Sequence, residues 1–247
     1  WHPALDGADG VINLAGEPNA EKSWTPARRH AIEQSRIDAT NSLVQACAKV
    51  RRKPAFLINA SAVGYYGPHG DETLTEEAPA GNDFLSSVCK AWEEEAQDAE
   101  ELGMRVVRLR MGIVLGPGGG ALAKMAKPFK FFVGGPLGSG KQWMSWIQLE
   151  DLLGMIFLVI ENPRARGPVN ATAPNPVQNK EFSQALGKAM HRPCWAPVPA
   201  FVLELALGEM AQMLLTGQRV IPAAAESLGF RFRYPDLPEA LEASKPT

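Results

Sequence analysis

Short apolar runs alternate with longer amphipathic segments along this chain, and this alternation limits the possible folds more than any other feature. Residues 10–16, 56–60 and 105–110 are apolar runs of strand length, and segments with helical spacing lie between them. Such alternation is typical of a parallel sheet whose two faces are covered by helices. The sequence therefore predicts an α/β fold with a doubly wound parallel sheet.

The helix after the first strand has both of its ends marked in the sequence. Thr25 is a suitable N-cap, Pro26 suits the first helical position, and apolar residues recur at helical spacing as far as Val50. A second helix is predicted over residues 85–102, with Gly103 as the residue that ends it. Further helices are predicted over residues 121–132 and 150–161, and further strands over residues 169–171 and 230–232.

Glycine-rich stretches interrupt this pattern after the third strand, and short segments separated by prolines follow residue 173. We therefore expect two lobes. The first is a nucleotide-type domain made of residues 1–115 and 146–172. The second is a smaller α/β lobe on the substrate side, made of residues 116–145 and 173–247.

Charge and cysteine content exclude several classes of function. Lys and Arg number 25 and Asp and Glu 27, which leaves a net charge of −2 and no basic excess for binding nucleic acid. The longest apolar stretch, residues 155–160, is too short to cross a membrane. Three cysteines without a CxxC spacing indicate neither a disulfide framework nor a zinc site. We expect a soluble protein of a reducing compartment, either the cytoplasm or an organelle matrix or stroma.

Other candidate motifs are weaker. The four histidines share no metal-ligand spacing, so no metal site is predicted. Residues 135–141 have the glycine and lysine spacing of a P-loop, but Gln142 replaces the expected Ser or Thr. A strand-like segment follows where a helix should begin, which favours a turn over an ATP site at Lys141. The acidic run over residues 93–101 is expected to be a solvated helix face.

The clearest functional pattern lies where the predicted strands end. Residues 13–16, 59–67 and 110–117 each carry glycine and other small or polar residues directly after a strand. Each alone is typical of turn chemistry. Because the carboxyl ends of parallel strands meet at one edge of a sheet, the three together predict a ligand crevice there.

This ordered set of motifs resembles the extended short-chain dehydrogenase/reductase superfamily, which implies a Rossmann-type sheet. The resemblance rests on the NxAG turn, the Ser-containing YG loop, the stretch from Arg110 to Pro117, and the WIxxxDL pattern over residues 146–152. More narrowly, the chain resembles the atypical epimerase-family or cell-division-inhibitor-like branch. Its residue pattern is most similar to that of cyanobacterial and plastid members. The stretches that carry this narrower resemblance are residues 13–17, 35–36, 118–121, 134–140, 170–176 and 217–222.

The superfamily opens with a strand and a GxxGxxG turn that holds the cofactor pyrophosphate. Neither is found before residue 13. The expectation is that roughly 50 residues of this opening are absent and that Trp1 enters just before the fourth family strand.

The resemblance implies a dinucleotide cofactor, with NADP favoured over NAD. Leu14, Ala15 and Gly16 would contact it through their backbone, and Arg36 would pair with a phosphate, the alternative being a surface arginine. The remaining positions implied for the cofactor are Ala60 and Ser61 beneath the nicotinamide, and Gly112 and Ile113 beyond it.

The resemblance implies a less complete catalytic set. Active superfamily members use a Ser or Thr and a Tyr four residues before a Lys. Ser61 fits the first role, but Leu85 and Cys89 occupy the tyrosine and lysine places. Tyr65 or Tyr66 could stand in as the proton donor, or both could be buried against the cofactor.

Two hypotheses remain open. The first is an NADP(H)-binding oxidoreductase or nucleotide-sugar-epimerase-like enzyme that acts on an unknown small molecule. The second is a catalytically inactive nucleotide-binding regulatory or structural subunit. Either could be a homo-oligomer or part of an assembly.

Overall fold

The computed structural model describes residues 2–21 and 23–245, so the predicted role of Trp1 lies outside the described residues. Within these ranges the helices are α1 His2–Leu5, α2 Pro26–Lys49, α3 Phe84–Gln97, α4 Gly120–Lys130, α5 Leu149–Glu161, α6 Asn179–Ala189, α7 Ala200–Leu207, α8 Gln212–Leu215, α9 Ala223–Ser227 and α10 Leu237–Ala243. The strands are β1 Gly10–Asn13, β2 Phe56–Ala62, β3 Thr73–Leu74, β4 Arg105–Met111, β5 Ile113–Leu115, β6 Trp143–Met144, β7 Trp146–Gln148, β8 Gly167–Ala171, β9 Val177–Gln178 and β10 Arg219–Val220. Short 3₁₀ turns lie at Val63–Tyr66, Asp98–Leu102 and Gly208–Ala211.

The central sheet confirms the predicted parallel α/β fold. Among the described residues it has four strands in the order β1-β2-β4-β8, and every neighbouring pair is parallel. One face packs Leu57 and Val106 against α2 and α3, and the other packs Ile58 and Val107 with the apolar face of α5. Helices therefore cover both faces, because alternate strand residues point to opposite sides.

The predicted ends of α2 are confirmed. Thr25 Oγ1 accepts a hydrogen bond from the backbone N–H of Arg28 at 3.2 Å, and the helix runs from Pro26 to Lys49. Helix α3 is shorter than predicted, because its last turn tightens into the 3₁₀ segment Asp98–Leu102. Gly103 then turns the chain at a φ of 82°, a backbone conformation that favours glycine.

The predicted strand over residues 230–232 is wrong, because the structure assigns these residues to no strand. The rings of Phe230 and Phe232 meet edge to face at 4.8 Å and pack with the cluster around α5. The next two backbone N–H groups, of Arg233 and Tyr234, donate to the carboxylate of Asp151 at 2.7 and 2.9 Å. Side-chain packing and a carboxylate thus hold the segment in place of a strand ladder.

Residues 135–141 form a turn that leads into β6 rather than into a helix N-terminus, as the sequence predicted. The division into two lobes stays a prediction. A separate hydrophobic cluster gathers residues from α4, α6 and α10 with β6 and Trp146.

Within the described ranges, no helix is long and apolar enough to cross a membrane. The same ranges contain no cluster of three or more residues suited to hold a metal ion.

Candidate functional site

The sheet changes from apolar to polar towards its carboxyl edge. On the face covered by α2 and α3, the lower strand positions carry the apolar side chains of Val11, Leu57 and Val106. Two residues further along each strand the side chains become polar, since alternate residues share a face. The polar residues of this face are Asn13, Asn59, Ser61, Arg108, Arg110 and Asn170.

A small hydrogen-bonded group joins this polar layer to the two helices. Asn13 Nδ2 donates to Thr40 Oγ1 at 2.9 Å and to Asn59 Oδ1 at 2.7 Å. Trp92 Nε1 donates to the same Thr40 oxygen at 3.0 Å. Thr40 on α2 is buried and connects β1 to α3. These bonds fix the strand end from which the predicted cofactor turn leaves.

Glu93 and Arg110 form a buried ion pair in the centre of the layer. Arg110 Nε and Nη2 donate to the two Glu93 carboxylate oxygens, each at 2.8 Å, and both side chains are 3% exposed. Ser61 Oγ also donates to Glu93, at 2.7 Å. Burial by itself would lower the pKa of Arg110, but the hydrogen bonds and charge of Glu93 outweigh it and raise that pKa. The expectation that Glu93 lies on a solvated face is therefore wrong.

Tyr66 continues the network towards β8. Its hydroxyl donates to Asn170 Oδ1 at 2.7 Å and accepts from Arg110 Nη1 at 2.9 Å. Burial raises the pKa of Tyr66 to about 12, although Arg110 acts in the opposite direction. Tyr65 is half-buried, and the Arg110 guanidinium lies 3.5 Å from its ring centroid. The two tyrosines therefore differ in access, and Tyr66 is the enclosed one.

The turn after β1 lies at the open edge beside a guanidinium. Leu14, Ala15 and Gly16 are exposed, and a Cβ at Gly16 would lie 3.1 Å from Arg36 Cζ. Arg36 donates to two uncharged acceptors, the backbone oxygen of Ile32 at 2.8 Å and Asn19 Oδ1 at 3.0 Å. Burial lowers the pKa of Arg36.

This edge has the chemistry that a dinucleotide requires. The exposed side chain of Leu14 suits a flat ring, and Gly16 adds no side chain that would block it. Arg36, which is held by neutral acceptors, suits a phosphate. Ser35 Oγ also accepts from the backbone N–H of Glu17 at 3.1 Å. The Ser35–Arg36 pair therefore holds the turn in place as well as bordering the edge.

Uncharged side chains occupy the two positions that the sequence resemblance matches to the family's tyrosine and lysine. Leu85 and Cys89 lie one turn apart on α3 and face Gly64, where an added Cβ would lie 3.6 Å from Leu85 Cβ and 3.9 Å from Cys89 Sγ. Burial raises the pKa of the Cys89 thiol to about 12, and the charge of Glu93 adds to this effect. The thiol is therefore protonated at neutral pH.

The remaining predicted residues lie deeper in the molecule. Ala60 is buried in β2, on the face opposite to Ser61. Gly112 allows a close approach of two backbone segments, because a Cβ there would lie 2.5 Å from the Ser145 carbonyl oxygen. The Ile113 N–H donates to that same oxygen at 2.8 Å. The structure thus places Gly112 and Ile113 at the junction of β4, β5 and β7.

Sequence reasoning missed the residues that organise the polar layer: Glu93, Arg110 as a charged partner, Asn170 and Thr40. One signal was available, because Arg110 interrupts an apolar strand and a buried arginine needs a partner. Nothing in the sequence identifies which of the neighbouring acidic residues 93–95 is that partner.

A Rossmann-like parallel sheet with a glycine turn and a guanidinium at its carboxyl edge defines a protein of the nucleotide-binding α/β class. Residues 2–171 match the NAD dependent epimerase/dehydratase family, and residues 198–244 match a domain of unknown function, DUF1731. The chain belongs to the NAD dependent epimerase/dehydratase family.

Named relatives extend this result. The chain is 43% identical over 245 residues to the chloroplastic epimerase family protein SDR39U1 homolog of Arabidopsis thaliana, covering 98% of this chain and 70% of that protein. It is 46% identical over 234 residues to the epimerase family protein YfhF of Bacillus subtilis, covering 94% and 77%. The crystal structure of human epimerase family protein SDR39U1 (isoform 2) with NADPH superposes with a TM-score of 0.91 at 34% identity, covering 97% of this chain and 82% of that one.

Proposed function

We propose that this chain binds NADP(H) and acts as an oxidoreductase or nucleotide-sugar-epimerase-like enzyme on a small molecule. The observation that carries the proposal is the exposed turn Leu14–Gly16 against the Arg36 guanidinium, at the carboxyl edge of the sheet. Support also comes from the human relative solved with NADPH. The chloroplastic and bacterial relatives favour a cytoplasmic or stromal location.

In this proposal the backbone of residues 14–16 lies along the cofactor, and Arg36 pairs with one of its phosphates. Ala60 and Ser61 lie beneath the nicotinamide, with Gly112 and Ile113 as the wall beyond. The cofactor, when bound, supplies or accepts a hydride, and the protein must exchange a proton with the substrate oxygen. NADP is preferred to NAD on the basis of the relative solved with NADPH.

Tyr65 is our preferred proton donor. The Tyr66 hydroxyl already donates a hydrogen bond to Asn170, is fully buried and has a pKa raised to about 12. The Ser61 hydroxyl is similarly committed to Glu93. Tyr65 is partly exposed and lies on the same loop. In this proposal a substrate therefore contacts Tyr65 without displacing the network. Ser61 and Tyr66 then position Tyr65 through Arg110.

A specific observation favours a second candidate, a nucleotide-binding subunit without catalysis. By the sequence resemblance, Leu85 and Cys89 fill the places of the family's tyrosine and lysine. Leu85 has no ionisable group, and the Cys89 thiol keeps its proton at neutral pH because burial raises its pKa to about 12. In this case the bound nucleotide either stabilises the fold or acts as a regulatory ligand, whose binding changes how the subunit interacts with a partner.

The two candidates are separated by measuring binding and turnover on the full-length protein. Titration calorimetry with NADPH and NADH tests cofactor binding, and NADPH oxidation with a panel of carbonyl compounds and sugar nucleotides tests catalysis. We expect tighter binding of NADPH than NADH, and turnover that Tyr65→Phe lowers by at least about tenfold without changing the NADPH affinity. Tyr234→Phe, a tyrosine of the C-terminal segment, is the matched control and leaves turnover unchanged.

Each result has a definite meaning. NADPH binding without turnover on the whole panel supports the non-catalytic subunit. Failure of NADPH to bind overturns both candidates. Turnover that survives Tyr65→Phe and is lost in Tyr66→Phe transfers the donor role to Tyr66.

A further inference from the structure

An open pocket of about 380 Å³ lies between the first turns of α2 and α3. Both helices follow strands of the central sheet, so their first turns lie at its carboxyl edge, the same edge as the turn Leu14–Gly16. Its lining includes Trp24, Arg29, His30, Glu33, Phe84 and Glu209. The pocket therefore lies at the same edge of the sheet as the proposed cofactor site, and none of its lining residues is among those proposed to hold the cofactor.

Its walls combine aromatic rings with one stacked cation. The rings of Trp24 and Phe84 meet edge to face at 5.2 Å, and Trp24 Nε1 donates to the backbone oxygen of Asn19 at 2.9 Å. Arg29 Cζ lies 4.3 Å from the centroid of Phe84. A held indole and a stacked guanidinium form a preorganised surface for a flat ring that carries an anionic group.

A carboxylate of the protein already occupies the position beside Arg29 where an anionic group of a ligand would bind. Arg29 Nη1 donates to Glu209 Oε2 at 2.8 Å, and the two side chains are 37% and 65% exposed. An exposed ion pair of this kind contributes little to stability, so an incoming carboxylate can replace it. Glu209 belongs to the 3₁₀ turn after α7, and its side chain can rotate into solvent without moving the helices.

The other charged groups narrow the ligand class. Glu33 lies one turn after Arg29 on α2 and adds a second carboxylate to the lining of the pocket, which also includes the exposed His30. A ligand with several negative charges would be repelled by Glu33. A cationic ligand would bind best over an aromatic ring face, but the Arg29 guanidinium already lies over the Phe84 ring and would repel it. A single ligand carboxylate that takes the place of Glu209 on Arg29 leaves the charge balance of the pocket unchanged, whereas any further negative charge is not balanced.

We propose that this pocket binds a planar aromatic or conjugated monocarboxylate, whose ring packs on Trp24 and Phe84 and whose carboxylate replaces Glu209 on Arg29. We assign this ligand as the substrate of the enzyme, and that assignment rests on the proposed function. The binding itself depends only on residues of the pocket and can be measured without cofactor.

Binding is tested by titration calorimetry and saturation-transfer NMR on the full-length protein with benzoate and phenylglyoxylate as probes. Benzamide tests the need for charge, acetate the need for a ring, and benzyltrimethylammonium the sign of the charge. We expect both aromatic carboxylates to bind and the three comparison compounds to bind at least about tenfold more weakly.

Three variants locate the site. Arg29→Met keeps the aliphatic stem and removes the charge, so the affinity for benzoate should fall by at least about tenfold while NADPH affinity is unchanged. Glu209→Gln removes the internal competitor and should raise the affinity by up to about fivefold. Arg192→Met is the matched control, because Arg192 also stacks on a ring, 4.6 Å from the Phe132 centroid, but lies outside the pocket.

The inference is overturned if neither carboxylate binds, if benzamide or the cation binds as tightly, or if Arg29→Met leaves the affinity unchanged. These outcomes are distinct from a failure of the proposed function. NADPH binding without carboxylate binding refutes the pocket assignment alone. Carboxylate binding that depends on Arg29, in a protein that does not bind NADPH, supports the pocket and refutes the proposed function.

Discussion

Replacing Glu93 by glutamine tests whether the buried network holds the sheet edge together. The Glu93 carboxylate accepts two hydrogen bonds from Arg110 and one from Ser61, at 2.7 to 2.8 Å, with 3% of its side chain exposed. Glutamine keeps the shape and one acceptor oxygen but leaves the Arg110 charge buried without a counter-charge. Breaking such a pair costs about 3–5 kcal/mol of unfolding free energy.

The loss is measured by urea unfolding and by thermal melting. For a chain of this size, each kcal/mol lowers the melting temperature by roughly 2–4 °C, so the variant should melt roughly 6–20 °C lower. Glu94→Gln is the matched control, because Glu94 is the next residue, is 65% exposed and pairs only loosely with Lys90 at 4.0 Å. The control should change stability by less than about 0.5 kcal/mol.

A double variant separates a broken ion pair from a general packing defect. Glu93→Leu with Arg110→Met removes both charges, and it should be more stable than either single variant because no uncompensated charge stays buried. The reasoning is refuted if Glu93→Gln costs less than about 1 kcal/mol, or if the two single losses simply add in the double variant.

Three further predictions follow from the polar layer and the thiols. The raised pKa of Tyr66, about 12, means that the unfolded chain releases this proton first, near pH 10. The unfolding free energy should therefore fall between about pH 10 and 12, and Tyr66→Phe should remove this part of the fall. Thr40→Val leaves Trp92 Nε1 without its acceptor and should cost about 1–3 kcal/mol in urea unfolding, whereas Thr40→Ser should cost less. Burial raises the thiol pKa to about 12 at Cys89 and less strongly at the partly exposed Cys194. Alkylation followed by mass spectrometry should modify Cys194 in the native protein and Cys89 only after unfolding, and early modification of Cys89 would contradict its burial.

The ends of α2 could be predicted because their signals are local. A threonine cap and a proline at the first position act within one helical turn, and the structure places both where expected. The strand predicted over residues 230–232 failed for the opposite reason. Alternating aromatic residues suit a strand, but a strand also needs a neighbour, and Asp151 supplies the acceptors for the next N–H groups instead.

The candidate site divides in the same way. The turn Leu14–Gly16 and Arg36 were predicted from the resemblance to the superfamily, and the structure brings them together at the open edge. Ser61 and Tyr66 were also singled out, but their partners Glu93 and Asn170 are distant in sequence. Whether these residues act on a substrate stays a prediction, and the structure shows how they are held.

By itself the sequence determined the α/β class, the order of the main strands and helices along the chain, and the strand ends at which glycine and polar residues gather. These follow from periodicity, caps and turn residues, which depend on near neighbours. Only the tertiary structure decided that Glu93 is buried while Glu94 is exposed, and that Tyr66 is enclosed while Tyr65 is not. The same is true of the pocket formed by α2 and α3 with Glu209. The physical reason is that burial and charge pairing depend on groups that are far apart in the chain, and only packing sets their distances.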